Sequence, residues 1–188
     1  NNTLYCQNSR GKFESLTLEG LVQVMLTLSR FASDMLFFTS RECGYFFASD
    51  AIVTGSSIMP QKRNLDALEI LRGQTAVLAA NHALVQNLTV GLISGYHRDL
   101  QLLKKPLIES LAIAEKSVEV VLIVLKNIKP DIKAIESKIQ PDIFAADVAN
   151  DLVQKQGIPF RDAYQKALKE LKTRKIDPKK NLKSKISP

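Results

Sequence analysis

The stretch Thr54-Gly55-Ser56-Ser57-Ile58-Met59-Pro60-Gln61-Lys62-Arg63-Asn64 lies between two long apolar segments, yet it is built of loop-forming residues. Gly55 gives the backbone freedom, and Pro60 stiffens the exit from the loop. Asn64 and Asp66 are typical of the opening of a helix, whose free N–H groups and dipole favour a carboxylate. A lysine and a serine hydroxyl beside such a site suggest acid–base chemistry on a bound anion. The alternative interpretation is a serine-rich turn before a helix.

The segments on both sides of this loop carry the apolar periodicity of long helices. Residues 15–42 place polar side chains at three- and four-residue steps and are otherwise almost wholly apolar. Residues 64–90 and 106–127 are also mostly apolar at helical spacing, and the first of these two contains many small residues. A polar stripe as narrow as that of residues 15–42 indicates a helix covered on most sides, as in a bundle or at a subunit interface. His82 is interpreted as a structural or exposed histidine of the second helix.

These patterns predict an all-α fold, with a long-helix bundle followed by a small helical C-terminal domain. We expect two domains: residues 1–128 would be part of a central bundle that carries the loop, and residues 129–188 would be a small helical domain with a basic tail. Residues 1–14 are expected to be irregular, and no sheet is expected. Five aromatic residues are expected to pack at the end of the first long helix: Phe37, Phe38, Tyr45, Phe46 and Phe47.

The net charge of +7 is concentrated at one end of the chain. From Lys166 onward there are nine basic residues, opposed only by Glu170 and Asp177, so the rest of the chain is neutral overall. This lysine-rich end has almost no aromatic residues and therefore lacks the stacking groups of single-strand binders. We expect a solvated tail and no nucleic-acid partner.

Other features of the sequence narrow the cellular context. The longest wholly apolar run, residues 120–125, is too short to span a bilayer, and the first residues do not resemble a signal peptide. We therefore expect a cytoplasmic protein without a membrane partner. The absence of a starting Met suggests a piece of a longer chain. Cys6 and Cys43 have no metal-type spacing, and buried free thiols are favoured over a disulfide.

Residues 55–64 resemble the signature loop of the fumarase/aspartase superfamily of lyases, and the Met-Pro-Gln-Lys wording is most similar to the argininosuccinate lyase family. Leu65 stands where that family usually has Pro, which alters the helix start but removes no chemical group. Residues 96–104, Tyr-His-Arg-Asp-Leu-Gln-Leu-Leu-Lys, resemble the Tyr-Asn-Arg-Asp-Leu-Gln-(two residues)-Lys element that follows the signature helix in the family. Residues 144–149 and 157–164 are similar to its C-terminal domain.

The resemblance implies cleavage of argininosuccinate to arginine and fumarate by elimination, as in arginine biosynthesis, with neither a cofactor nor a metal. By position, Ser56 would be the base, and Lys62 would stabilise the aci-carboxylate that forms when the proton leaves. A serine is a poor base in water, so the loop would have to close over the substrate. The residues that would bind the substrate or support the loop are Ser57, Asn64, Tyr96, Gln101 and Lys104.

Two earlier signatures of the family, Ser-Arg-Asn-Asp and His-Thr-His, do not occur in this sequence. In the family, each active site is assembled from different subunits of a homotetramer. We therefore expect the C-terminal portion of such a lyase, inactive without the missing N-terminal half. The alternatives are another lyase of the superfamily, of the adenylosuccinate lyase or fumarase type, and a non-catalytic helical assembly module.

Overall fold

The computed structural model describes residues 2–55, 58–59 and 62–173. Contacts divide the chain into two compact units, one ending at Lys129 and the other beginning at Pro130. Helices dominate the described residues of both units, which confirms the predicted all-α class. The helices are α1 (Thr3–Asn8), α2 (Lys12–Phe38), α3 (Asp66–Asn87), α4 (Lys104–Asn127), α5 (Ile132–Lys138), α6 (Ala145–Gln156) and α7 (Phe160–Thr173).

The three long helices of the first unit, α2, α3 and α4, pack side by side through apolar layers. The residues that α2 and α3 contribute are seven positions apart, the spacing that keeps one stripe of a helix against its neighbours. The layers contain Leu18, Val85 and Leu103 at one end, Met25, Leu78 and Ala114 in the middle, and Ala32, Leu71 and Val121 at the other end. The order of these residues shows that α3 runs antiparallel to α2 and α4.

Polar contacts also join the helices within the bundle. The side chain of His82 is only 13% exposed; its Nε2 lies 3.1 Å from Ser15 Oγ, and its Nδ1 lies 3.4 Å from a carboxylate oxygen of Glu19. These contacts support the interpretation of His82 as a structural residue. Ser110, fully buried on α4, accepts a hydrogen bond of 3.2 Å from Asn81 Nδ2 on α3.

By length and composition, α2 is long and apolar enough to cross a membrane, and it is the one such helix among the described residues. Core helices of soluble proteins can have the same length and composition. The buried side chains of α2 pack on α3 and α4, as those of a bundle helix do; they are Leu18, Met25, Ala32 and Met35.

Three expectations from the sequence were wrong. The segment before α2 is not irregular, because α1 forms there and the side chain of Asn2 accepts a 3.1 Å hydrogen bond from Tyr5 N as its cap. A small sheet exists, in which β1 (Phe46–Ala48) pairs with β2 (Ile128–Pro130). The cysteines form no disulfide with each other, but of the two thiols expected to be buried only that of Cys43 is, whereas Cys6 is exposed.

Four of the five aromatic residues expected to pack at the end of α2 do so, whereas Phe47 is exposed and lies against Arg63 instead. The ring of Phe38 lies 5.7 Å from that of Phe37, 5.9 Å from that of Tyr45 and 6.0 Å from that of Phe46, measured between centroids. This cluster closes the end of the bundle from which the chain enters the loop at residues 54–64.

The second unit is built around the contact of α6 with α7. Small side chains allow the two helices to approach closely: Ala149 on α6 and Ala163 and Ala167 on α7 are fully buried. Gly157 ends α6 in the left-handed conformation, with φ of +66°, which favours glycine. The predicted basic tail lies outside the described residues from Arg174 onward.

Candidate active site

The base of the loop at residues 54–64 is closed by a backbone bridge. Thr54 N donates to Asn64 O at 2.9 Å, and Asn64 N donates to Thr54 O at 3.0 Å. The Thr54 hydroxyl also donates to a carboxylate oxygen of Asp66 at 2.6 Å, which ties the bridge to the first residue of α3. The two ends of the loop are therefore held together at the start of α3.

Arg63 fastens the loop to the segment between β1 and the loop. Its guanidinium donates to Asp50 Oδ1 at 2.5 Å and to Ala48 O at 2.8 Å, and it lies 5.3 Å from the ring centroid of Phe47. A planar, forked donor can bond two acceptors and stack on a ring at the same time. This anchoring fixes the backbone directly beside Lys62 and Asn64.

The side chains of Lys62 and Asn64 make no hydrogen bond to the described residues of the loop. The ammonium group of Lys62 is exposed and makes no hydrogen bond or ion pair with the described part of the chain. Lys62 N donates to Met59 O at 2.9 Å, so the backbone of Lys62 is bonded within the loop. The half-buried amide side chain of Asn64 likewise has no hydrogen bond to a described residue.

Leu65 explains how α3 begins without the proline that the family usually has. Its side chain is 4% exposed and packs in the apolar layer of Ala32 and Leu68, while its carbonyl accepts from Leu68 N at 2.9 Å. The helix therefore starts at Asp66, anchored by a buried side chain rather than by a side-chain cap. Ser56 and Ser57, predicted as the base and its support, lie outside the described residues.

The second predicted group, Tyr96, Gln101 and Lys104, lies around the 3₁₀ turn Arg98–Leu103 that leads into α4. Gln101 Nε2 donates to the Tyr96 hydroxyl at 3.4 Å, so the structure brings these two side chains together. All three side chains are exposed, and the Lys104 ammonium has no partner among the described residues. The turn is held down by the buried side chains of Leu100 and Leu103.

The structure places the two predicted groups at opposite ends of the bundle. Lys62 and Asn64 precede α3, whereas Tyr96 and Gln101 follow it, and α3 has 22 residues. At 1.5 Å per residue the helix is about 33 Å long. That length exceeds the span of a small-molecule substrate, so one chain does not bring both groups to the same molecule.

The described residues of neither group line the apolar groove between two of the long helices. That groove, of about 340 Å³, lies between α3 and α4 and is mostly apolar, with Ile70, Ile113 and Val120 among its lining residues. A polar cleft of about 130 Å³ lies beside Tyr96, where Arg10 and His97 are among the lining residues. The cleft adjoins the second group.

Sequence reasoning did not single out Arg10, which contacts Tyr96, or Arg63, which lies between Lys62 and Asn64. Arg63 was visible only as part of the loop, and Arg10 fell in a segment expected to be irregular. A signal did exist for Arg63, because an arginine between two candidate site residues is well suited to fasten a loop through its fork. For Arg10, no local pattern reveals a partner near residue 96.

Comparisons with known proteins agree with the sequence resemblance. Residues 15–79 match a protein family described as "Lyase". The chain is 44% identical to an argininosuccinate lyase of Thermotoga neapolitana over 87% of this chain and 41% of that protein. It is 37% identical to an argininosuccinate lyase of Xylella fastidiosa over 100% of this chain and 42% of that protein. The chain thus spans about two fifths of the length of the curated relatives it matches, and the resemblance to this family is confirmed.

Solved structures share the fold. The 3-carboxy-cis,cis-muconate lactonizing enzyme of Pseudomonas putida superposes with a TM-score of 0.67 at 16% identity, over 85% of this chain and 36% of that chain. The fumarate lyase:delta crystallin of Brucella melitensis gives a TM-score of 0.66 at 18% identity, over 85% and 36%. The helical bundle is therefore the fold of the corresponding part of these proteins.

Proposed function

Because this chain is similar over most of its length to argininosuccinate lyases of the lyase family, we propose that it forms the C-terminal portion of such an enzyme. The complete enzyme would cleave argininosuccinate to arginine and fumarate. The base removes a proton from the carbon beside a carboxylate, the electrons move onto that carboxylate, and the carbon–nitrogen bond then breaks to release arginine. The reaction therefore needs a base, and a positive charge at the developing oxyanion.

The loop end of the bundle supplies groups suited to that step. Ser56 is proposed as the base and Lys62 as the cation that stabilises the aci-carboxylate, with Asn64 binding the substrate and Ser57 supporting the loop. The free ammonium of Lys62 and the free amide of Asn64 support these roles, because neither group is used within the described chain. Arg63 fastens the loop and leaves both side chains available.

The other end supplies groups suited to holding the substrate. The paired Tyr96 and Gln101 and the exposed Lys104 offer a hydroxyl, an amide and a cation on one turn. Such groups match the carboxylates and amines of an amino-acid substrate.

The single observation that carries the proposal is the separation of the two groups by the length of α3. Each chain would contribute its loop end to one active site and its Tyr96 end to another, completed by other copies. The exposure of Lys62, Tyr96, Gln101 and Lys104 supports this, since elimination by a weak base requires a site from which water is excluded. A second chain would provide the cover.

Apolar stripes on the outside of the bundle support assembly of several copies. Large apolar side chains are exposed at seven-residue spacing on two helices: Ile70, Val77 and Leu84 on α3, and Leu111, Val118 and Leu125 on α4. Repeats of this kind are typical of helices that pack against further helices. We propose a homotetramer, completed by the N-terminal half of the lyase, that acts in the cytoplasm in arginine biosynthesis.

Mixing two defective variants tests the proposal. This chain is completed with the remaining part of the lyase, taken from the Thermotoga neapolitana relative, and is prepared as Lys62→Met and, separately, as Gln101→Ala. Each variant alone is expected to be inactive. When equal amounts are unfolded together and reassembled, about a quarter of the sites should contain both native groups if these come from different chains. Fumarate formation, followed by ultraviolet absorbance, measures the recovery.

The control is a mixture in which the two substitutions are carried on the same chain, combined with unsubstituted chain. If both groups of one chain served one site, the two single variants would give no recovery on mixing, because every site would carry one defect. Malate and adenylosuccinate, offered in place of argininosuccinate, distinguish the other lyases of the superfamily. Correct assembly with no turnover of any of the three would favour a non-catalytic module.

A further inference from the structure

The turn between α1 and α2, residues 8–11, packs against the segment that carries Tyr96. Asn8 Oδ1 accepts a 3.1 Å hydrogen bond from Gly95 N. The guanidinium of Arg10 lies 5.7 Å from the centroid of the Tyr96 ring, and Arg10 Nη2 donates to Leu100 O at 3.4 Å. These contacts join parts of the chain that are 87 and 90 residues apart in sequence.

Close packing at Gly11 reinforces this junction. Gly11 is buried with φ of +85°, and a Cβ added there would lie 2.2 Å from Thr89 Cγ2. Only glycine fits such a position without displacing its neighbour. The turn at residues 8–11 therefore contacts the segment of residues 89–100 at both ends of that segment, at Thr89 and at Leu100.

No acidic residue in the described part of the chain explains the position of Arg10. Among the described residues no carboxylate lies within ion-pairing distance of its guanidinium, whose contacts are the Tyr96 ring and the Leu100 carbonyl. An arginine over an aromatic face fixes the plane of the ring through cation–π attraction. The hydroxyl of that same ring accepts the hydrogen bond from Gln101.

We propose that Arg10 is a positioning residue for the substrate-binding pair Tyr96 and Gln101. The guanidinium of Arg10 contacts the Tyr96 ring and also hydrogen-bonds to the carbonyl of Leu100, the residue before Gln101. The tyrosine hydroxyl and the glutamine amide are thereby presented together before substrate arrives. This inference rests on the proposed function for its catalytic consequence, but the contact itself is a property of this chain.

Kinetics of the assembled enzyme test the catalytic part. Arg10→Ala is expected to lower kcat/KM for argininosuccinate about tenfold, mainly through KM, since the pair binds substrate. The effect should disappear in the background of Tyr96→Ala, because Arg10 acts through that ring. Full additivity of the two substitutions would instead mean that Arg10 contacts the substrate itself, and would overturn the positioning role.

Lys12→Ala is the matched control. Lys12 is a cation two positions away, and its ammonium also lies 5.7 Å from the centroid of an aromatic ring, that of Tyr5. Lys12→Ala removes one positive charge and one cation–π contact, as Arg10→Ala does, but it does not affect the contact with Tyr96. The value of kcat/KM should therefore stay unchanged. An equal loss in both variants would show a general effect of charge and would contradict the proposal.

Amide hydrogen exchange of the 188-residue chain needs no turnover and separates this inference from the proposed function. Arg10→Ala should accelerate exchange in residues 94–101 severalfold, whereas Lys12→Ala should not. Unchanged exchange in this segment overturns the proposal. If exchange rises as expected but the unsubstituted assembly cleaves no argininosuccinate, the proposed function fails and the positioning of Tyr96 stands.

Discussion

The two ends of the first unit hold their candidate site residues in different ways. At the loop end, the anchors are neighbours in sequence: Arg63 lies between Lys62 and Asn64, and Leu65 follows directly. At the other end, the anchor of Tyr96 comes from Arg10, far along the chain. A site residue can thus be positioned by its own segment or by a remote one, and only the first case can be read from a motif.

The two buried leucines nearest the sites should show the largest effects. Leu65→Ala and Leu103→Ala each remove a side chain that is at most 4% exposed, at a cost of about 3 kcal/mol in the free energy of unfolding. The damage should be local as well. Hydrogen exchange should rise most near residues 54–64 in the first variant and near residues 94–101 in the second.

Each leucine variant serves as the control for the other. Denaturant titration measures the free energy of unfolding, and exchange measured under native conditions locates the loosened segment. If both substitutions loosened both ends equally, the two ends would not be independently anchored, and the comparison would fail.

A pair of glycines tests the remote anchor. Gly11 and Gly91 have similar positive φ angles, +85° and +77°. A Cβ added at Gly11 would clash with Thr89, whereas a Cβ added at Gly91 would point into open space. Alanine at either position carries a conformational cost of about 1 kcal/mol. The clash should add about 1–2 kcal/mol at Gly11.

Thermal or denaturant unfolding of Gly11→Ala and Gly91→Ala isolates the clash, because the conformational cost is common to both. Greater destabilisation of Gly11→Ala is expected, together with faster exchange near Tyr96. Equal stability of the two variants would mean that the turn at residues 8–11 does not pack tightly on the segment it contacts.

The smallest effect is expected at the local anchor. Arg63→Lys keeps the charge but loses the fork that reaches both Asp50 and Ala48, and because this pair is largely exposed the cost should be about 1 kcal/mol or less. The local consequence should be clearer: exchange at Thr54 and Asn64 should accelerate. Arg72→Lys, an exposed substitution on α3, is the control that should change neither quantity.

Loss of the Thr54–Asn64 bridge in Arg63→Lys would show that the guanidinium fork, rather than charge alone, holds the loop. Unchanged exchange at both residues would assign the loop's order to the backbone bridge and to Leu65. In contrast, Arg10→Ala should accelerate exchange only at the end of the bundle that carries Tyr96.

The sequence by itself determined much of this protein. The spacing of apolar residues predicted three long helices, because a helix must bury one stripe whatever its partners are. The loop at residues 54–64 and the element at residues 96–104 pointed to a lyase family, since their chemistry lies in consecutive residues. The small sheet was missed because its two three-residue strands are too short to show alternation, and α1 was missed because its asparagines suggested a break rather than a cap.

Tertiary structure alone decided where the two motifs lie relative to each other. They are separated by one helix in sequence, and an α-helix is a rigid rod, so the 22 residues of α3 keep the two motifs at opposite ends of a helix about 33 Å long. It also decided that the turn at Arg10 meets Tyr96, because contacts between distant segments depend on how α2 and α3 pack and leave no local pattern. Periodicity fixes which face of each helix is buried, and packing decides which distant residues meet.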